Sequence, residues 1–352
     1  MSTPSPNPTP IGPIRATGRV VLSVLWFLFA STLARHGAHG LVSADWVPLV
    51  EQAMLAFLLL FGFGTFGFIL DRQLEPITAQ GLPLRQGWLS EAGLGLAAGW
   101  GLAVVCVLPL LVGGLALHFS LSLVSFGWLL VDAAYFAFAT LAIQIAFRGY
   151  AFQAALRVLG PLPASLFFSI LFALLRAYLP GTNRASVAVS IALGLLLSLA
   201  YLRTRALWLP WGLHFGWVAS RALLFGLPVN GVSSHSPVIR GDALGAFSLS
   251  GADFGLDASW FAFYALLAAF PIVYRLTREL DFVHNAPVLI PAGIPMDLDA
   301  AGKRQHEAAT RPETPNIPEI KPLVQILPAT PPPPPIARDI DRPAQIPPTP
   351  QA

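Results

Sequence analysis

The chain has 352 residues, 55% of them hydrophobic and only 11% charged, with a formal net charge of +3 and a mean hydropathy of +0.65. Soluble domains carry about 25% charged residues, so this composition excludes an ordinary soluble enzyme. It also excludes a nucleic-acid binder, because no basic block is present. The single cysteine, Cys106, lies within an apolar run and rules out an intrachain disulfide framework.

The N-terminal stretch is rich in Pro, Ser and Thr and lacks the basic region and cleavage site of a secretory signal. Residues 1–18 are expected to be disordered. Eight apolar runs follow, at Val20–Ala34, Ala53–Leu70, Ala92–Leu117, Trp128–Phe147, Pro163–Leu175, Ser186–Leu202, Ala206–Leu227 and Trp260–Val273. Runs near 20 residues with few charges match the thickness of a bilayer core. The first, fifth and eighth are short and need flanking residues, tilt or packing to span. The expected fold is an all-α polytopic membrane helix bundle of about eight transmembrane helices. Residues 19–90 form two N-terminal helices and a loop, and residues 91–280 form the core.

Arginine placement orients the bundle. With the N-terminus inside, the inside segments hold Arg15, Arg19, Arg72, Arg85, Arg157, Arg203, Arg205, Arg275 and Arg278, and the outside ones only Arg35, Arg184 and Arg240. This asymmetry predicts both termini on the cytoplasmic side of the cell membrane. From residue 281 to 352 the chain becomes Pro-rich, with Pro331–Pro335 uninterrupted. It is expected to be a disordered cytoplasmic tail of polyproline II character, able to recruit a cytoplasmic partner.

Ionisable residues at membrane depth are costly and usually functional. Asp132, Arg148, Arg176, His214 and Arg221 stand out, with Gln144 as a buried amide. Gln144 and Arg148 are four apart and share a helix face. Each has a plain alternative: Arg148 snorkels to the interface, Arg176 ends its span, His214 bonds a neighbouring helix, and Asp132 marks a helix boundary. Helical rise puts Gln144, Arg176 and His214 in the middle region of three helices. That convergence suggests a polar cavity.

Three segments place these residues in context. Phe147-Arg148-Gly149-Tyr150-Ala151-Phe152-Gln153, the helix Phe167–Arg176, and Leu207-Trp208-Leu209-Pro210-Trp211-Gly212-Leu213-His214 resemble, in order and spacing, the motifs of the CAAX protease and bacteriocin-processing (CPBP) membrane family. The loop Gly251–Asp257 is similar to one found after the third motif. The resemblance covers roughly residues 90–275. It implies a membrane-embedded endopeptidase fold in which a Glu-Glu-x-x-x-Arg motif activates water, and two histidines and an asparagine position that water.

This chain departs from that pattern. Ile143 and Gln144 stand at the glutamate positions, Arg176 at the second-motif histidine and Val218 at the asparagine, so of Gln144, Arg148, Arg176 and His214 only Arg148 and His214 match. No glutamate occurs between Glu91 and Glu279. One intramembrane histidine is a poor zinc site, since a catalytic zinc normally has three protein ligands, and no cofactor is expected. With Arg148 and Arg176 in one cavity and no matching carboxylate in the helices, unpaired positive charge is expected there.

The reading that follows is a family member with an impaired proteolytic centre. It binds membrane lipid, or a membrane peptide or protein, in the old substrate cavity. An active endopeptidase with atypical residues, a small transporter and a tail-mediated scaffold are the alternatives.

Overall fold

The computed structural model describes residues 12–236, 238–243 and 245–280. Helix α1 (Pro13–Leu41) is followed by a 3-10 turn, α2 (Val47–Asp71), the four-residue α3 (Pro76–Ala79) and α4 (Trp88–Gly113). Next come strand β1 (Leu115–Phe119), α5 (Leu123–Arg148), α6 (Tyr150–Leu159), α7 (Pro161–Ala177), α8 (Arg184–Thr204) and α9 (Trp208–Ala219). A π-helical turn, Ser220–Leu224, extends α9. Strand β2 (Ile239–Ala243), the short α10 (Phe247–Ser250), two 3-10 turns and α11 (Trp260–Leu276) complete the described chain.

This is a polytopic helical bundle. Each expected span contains a helix, and the third and seventh runs extend beyond theirs. The segments Pro13–Leu41, Ala44–Asp71, Trp88–Gly113, Leu123–Leu159 and Arg184–Thr204 are long and apolar enough to cross a membrane, whereas Pro161–Ala177 and Trp260–Leu276 are shorter. Contacts gather at two ends. Arg19 pairs with Asp71, Arg85 donates to the Thr204 carbonyl and Trp208 to the Pro83 carbonyl at one end. Trp46 meets Trp128, and Asn183 donates to the Ala258 carbonyl, at the other. The helices therefore alternate in direction along the chain.

Helix α1 is patterned for lipid on its outer face. Ala16, Ala30, Ala34 and Ala38 are buried against the bundle, while Val21, Leu25, Phe29 and Leu33 are exposed. Small residues inward let helix backbones approach when lipid is as apolar as the core. The same device is strongest between α4 and α9. A Cβ at Gly95 or Gly99 would lie 2.2 or 2.1 Å from the Leu209 or Leu213 carbonyl oxygen. One at Gly212 or Gly216 would lie 2.1 or 2.4 Å from the Ala92 or Leu96 carbonyl oxygen. Only glycine permits this reciprocal backbone contact, which fixes α9 and the residues it carries.

Three expectations need correction. Residues 13–18, expected to be disordered, belong to α1, because Pro13 at the first helical position starts it; residues 1–11, and the tail at 281–352, lie outside the described residues. The third run stops at Gly113, since Gly114 takes a positive φ of 122°, and Leu115–Phe119 pairs antiparallel with Ile239–Ala243 as a two-stranded ribbon added to the all-α plan. The fourth span ends within a residue of the expected Phe147: at Gly149 a Cβ would meet the Ile145 carbonyl oxygen at 2.4 Å, and α6 sets off anew. The seventh ends through the π turn rather than as regular helix.

Candidate functional site

Gln144 and Arg148 lie one turn apart near the end of α5, both buried. The Gln144 Nε2 atom is 3.1 Å from His214 Nδ1 on α9. If that amide donates, the His214 proton sits on Nε2, an assignment made from the bonding pattern. Phe172 of α7 packs edge-on against the imidazole, with centroids 6.2 Å apart. His214 thus has a fixed ring plane, one nitrogen engaged and the other side towards a cavity.

That cavity has a volume of about 530 Å³. Its deep wall includes His214, Ile143, Val218 and Phe172, and its far end includes Arg176, Asn230 and Asp257. Helices α1 and α2 close it with Phe27, Leu28, Arg35 and Glu51, among others. An apolar groove of about 350 Å³ shares Phe27, Leu28 and Leu175 with it and continues between α1, α5 and α7 past Val24, Phe147 and Phe168. A largely apolar chamber carrying a few polar groups therefore lies beside an apolar groove.

Arg148 is placed otherwise than expected. It does not line the cavity; its Nη2 donates to the Gly194 carbonyl oxygen of α8 at 2.7 Å. Gly194 packs so tightly on Ser169 that a Cβ there would meet the serine Cβ at 2.9 Å, so Arg148 ties α5 to the α7–α8 contact. Its Nε and Nη1, the Gln144 Oε1 and the Ser169 Oγ are buried without a partner among the described residues.

The expected unpaired positive charge at the other end is also corrected. Asp257, in the loop before α11, accepts from Arg176 Nη2 at 2.8 Å, from Arg221 Nη2 at 3.1 Å and from Trp217 Nε1 at 3.2 Å. Arg176 also donates to Asn230, and the Arg221 guanidinium lies 4.1 Å from the Trp217 ring centroid. Burial alone would raise the Asp257 carboxyl, but Arg221 and then Arg176 outweigh it and hold it well below the usual carboxylate range. Arg176, in place of a histidine, is therefore an ion-pair partner. Asp132 is likewise structural: its carboxylate meets His235 Nδ1 at 2.9 Å and accepts the Ser236 backbone N–H at 2.8 Å.

Sequence reasoning missed Glu51 as a cavity residue, because it lies on α2, outside the motif region. Its side chain is 3.7 Å from Arg35. Phe57 packs on Phe138 and Phe63 on Tyr150, so α2 and α5 run side by side and Glu51 lies level with about residue 132. Helical rise then separates it from Gln144 by roughly 18 Å. Among the described residues no group of three or more His, Cys, Asp or Glu side chains is arranged to hold a metal.

His214 is thus a buried histidine on a glycine-clamped helix that lines a chamber inside an apolar bundle. Residues 125–220 match the family model described as type II CAAX prenyl endopeptidase Rce1-like. The matched segment is similar to that family and spans α5 through α9. No curated protein and no solved structure matches the chain.

Proposed function

We propose that this multi-pass membrane protein binds an amphiphilic ligand, a membrane lipid or the apolar end of a membrane peptide, and does not cleave peptide bonds at a useful rate. The observation carrying this reading is the Gln144–His214 hydrogen bond beside Ile143. A carboxamide at this position can orient a water but cannot take its proton. General-base assistance contributes typically about 10²–10⁴-fold. Of the two carboxylates lining the chamber, Asp257 is engaged by three donors and Glu51 lies far from His214. A chamber carrying a few polar groups, such as His214 and Arg35, beside an apolar groove that shares Phe27, Leu28 and Leu175 with it fits a ligand with a polar head and a greasy chain.

The second reading, an active endopeptidase with atypical residues, is favoured by the retained His214 and its open nitrogen. The test is hydrolysis of prenylated CAAX-type peptides by the purified protein, His214→Ala, and the double variant Ile143→Glu with Gln144→Glu. Cleavage by the unmodified protein that vanishes in His214→Ala overturns the binding reading. Activity only in the double variant supports a degenerate centre.

The arginine asymmetry favours the cell membrane with both termini cytoplasmic. Reporter fusions after Leu117 and Leu227 then read outside, and those after Leu202 inside. Recruitment of a cytoplasmic protein by residues 281–352 belongs to the same proposal and is compatible with ligand binding in the bundle.

A further inference from the structure

A second polar recess, of about 360 Å³, lies at the end of the bundle where α2 and α8 stop. Its lining includes Thr78, Gly81, Gln153, Arg157, Tyr201 and Arg205. Three elements build it. Gln153 and Arg157 are four apart on α6 and share a face, and Tyr201 lies on the last turn of α8, with Arg205 at its C-cap. Arg205 takes the left-handed conformation, with φ 52°, and its backbone N–H donates to the Tyr201 carbonyl at 2.7 Å. Gly81, with φ 96°, holds the third wall, its carbonyl accepting from the Leu207 N–H at 2.6 Å. The recess is therefore framed by main-chain bonds rather than by side chains alone.

Its lining is polar and basic: Arg157, Arg205, Gln153, Tyr201 and Thr78 take part in it. No Asp or Glu is among its lining residues. Arg157 makes no hydrogen bond or ion pair with a described residue, and nearby Asp71 is engaged by Arg19. Guanidinium forks match the oxygens of a phosphate.

Depth selects the source of that phosphate. Leu207, bonded to Gly81, is followed by Trp208, whose indole donates to the Pro83 carbonyl at 2.8 Å and packs 4.5 Å from the ring of Trp88. Paired tryptophans at a bundle end mark the headgroup layer. We propose that this recess binds the phosphate of an anionic phospholipid headgroup, with Arg157 and Arg205 as the phosphate-binding cations. The assignment is independent of the chamber and of which face of the membrane this end occupies.

The test uses the full chain in nanodiscs of phosphatidylcholine, with and without phosphatidylglycerol, and in detergent with inorganic phosphate. Thermal stabilisation by phosphatidylglycerol and its retention through detergent exchange are measured for the unmodified protein, Arg157→Gln, the double variant Arg157→Gln with Arg205→Gln, and Arg72→Gln as a same-end control outside the recess. The expected result is an apparent affinity for phosphatidylglycerol about tenfold lower or worse in Arg157→Gln, lower still in the double variant, and unchanged in Arg72→Gln. Arg157→Gln and Arg72→Gln should keep the melting temperature of the unmodified protein in pure phosphatidylcholine. If the double variant retains the lipid as well as the unmodified protein does, or Arg72→Gln loses it equally, the site is refuted. Stabilisation by inorganic phosphate without any by the lipid also overturns the lipid assignment.

Discussion

Substituting Gly99 with alanine tests the clamp that positions His214. The new Cβ would stand 2.1 Å from the Leu213 carbonyl oxygen and 2.7 Å from the Trp217 backbone nitrogen. Ordinary contact begins near 3.4 Å, so α4 and α9 must part by more than 1 Å locally, and backbone atoms cannot rotate aside as a side chain would. Gly101, two residues on in α4, supplies the control, because a Cβ there has nothing within 4 Å. Both substitutions gain the same helix propensity, about 1 kcal/mol, which cancels in the comparison. The difference between them isolates overpacking, typically about 1–3 kcal/mol. At about 2–4 °C per kcal/mol for a chain of this order of size, Gly99→Ala should melt several degrees below Gly101→Ala in the same detergent. Equal melting temperatures would refute the close α4–α9 contact, and with it the account of what holds His214 in place.

Three further outcomes follow from other contacts. Asp257→Asn should lower stability by about 3–5 kcal/mol, because it leaves buried guanidiniums uncompensated. The Asp257 carboxyl is held below the ordinary carboxylate range, so its contribution is fully present above that range and fades as pH falls through the depressed value; the melting gap between the parent and Asp257→Asn should be constant from pH 8 to 5. A Cβ at Gly62 would lie 2.0 Å from the Trp26 indole nitrogen, so Gly62→Ala should break the α1–α2 fit, read as faster amide exchange in α1, and the second change Trp26→Ala should restore part of it. Asp132→Ala should speed exchange at the Ser236 amide while leaving the Gly194 amide protected, since only the former donates to that carboxylate.

What the sequence made legible follows the range of the interaction. Helix positions were legible because apolar runs are local and lipid leaves the backbone few alternatives. The Gln144–His214 meeting was legible through motif order, which carries tertiary information that periodicity lacks. The β1–β2 ribbon was not, because Leu115–Phe119 reads as the tail of an apolar run and its partner lies more than a hundred residues away. Arg148 was expected in the chamber because it shares a face with Gln144, but its longer side chain reaches the Gly194 carbonyl across α8. Asp257 was visible as part of a loop, yet nothing in the spacing of Arg176, Arg221 and Asp257 says that one carboxylate serves both cations.

That shared carboxylate also sets an order of events during synthesis. Asp257 is made 81 residues after Arg176 and 36 after Arg221. At about 5–20 residues per second, the first arginine waits roughly 4–16 s for its counter-ion, well after its own helix has left the ribosome. During that interval the end of α7 cannot settle into its final depth without stranding a guanidinium in an apolar setting. A chain that stops short of residue 257 carries two such cations with no acid to meet them, which distinguishes an unfinished bundle from a finished one.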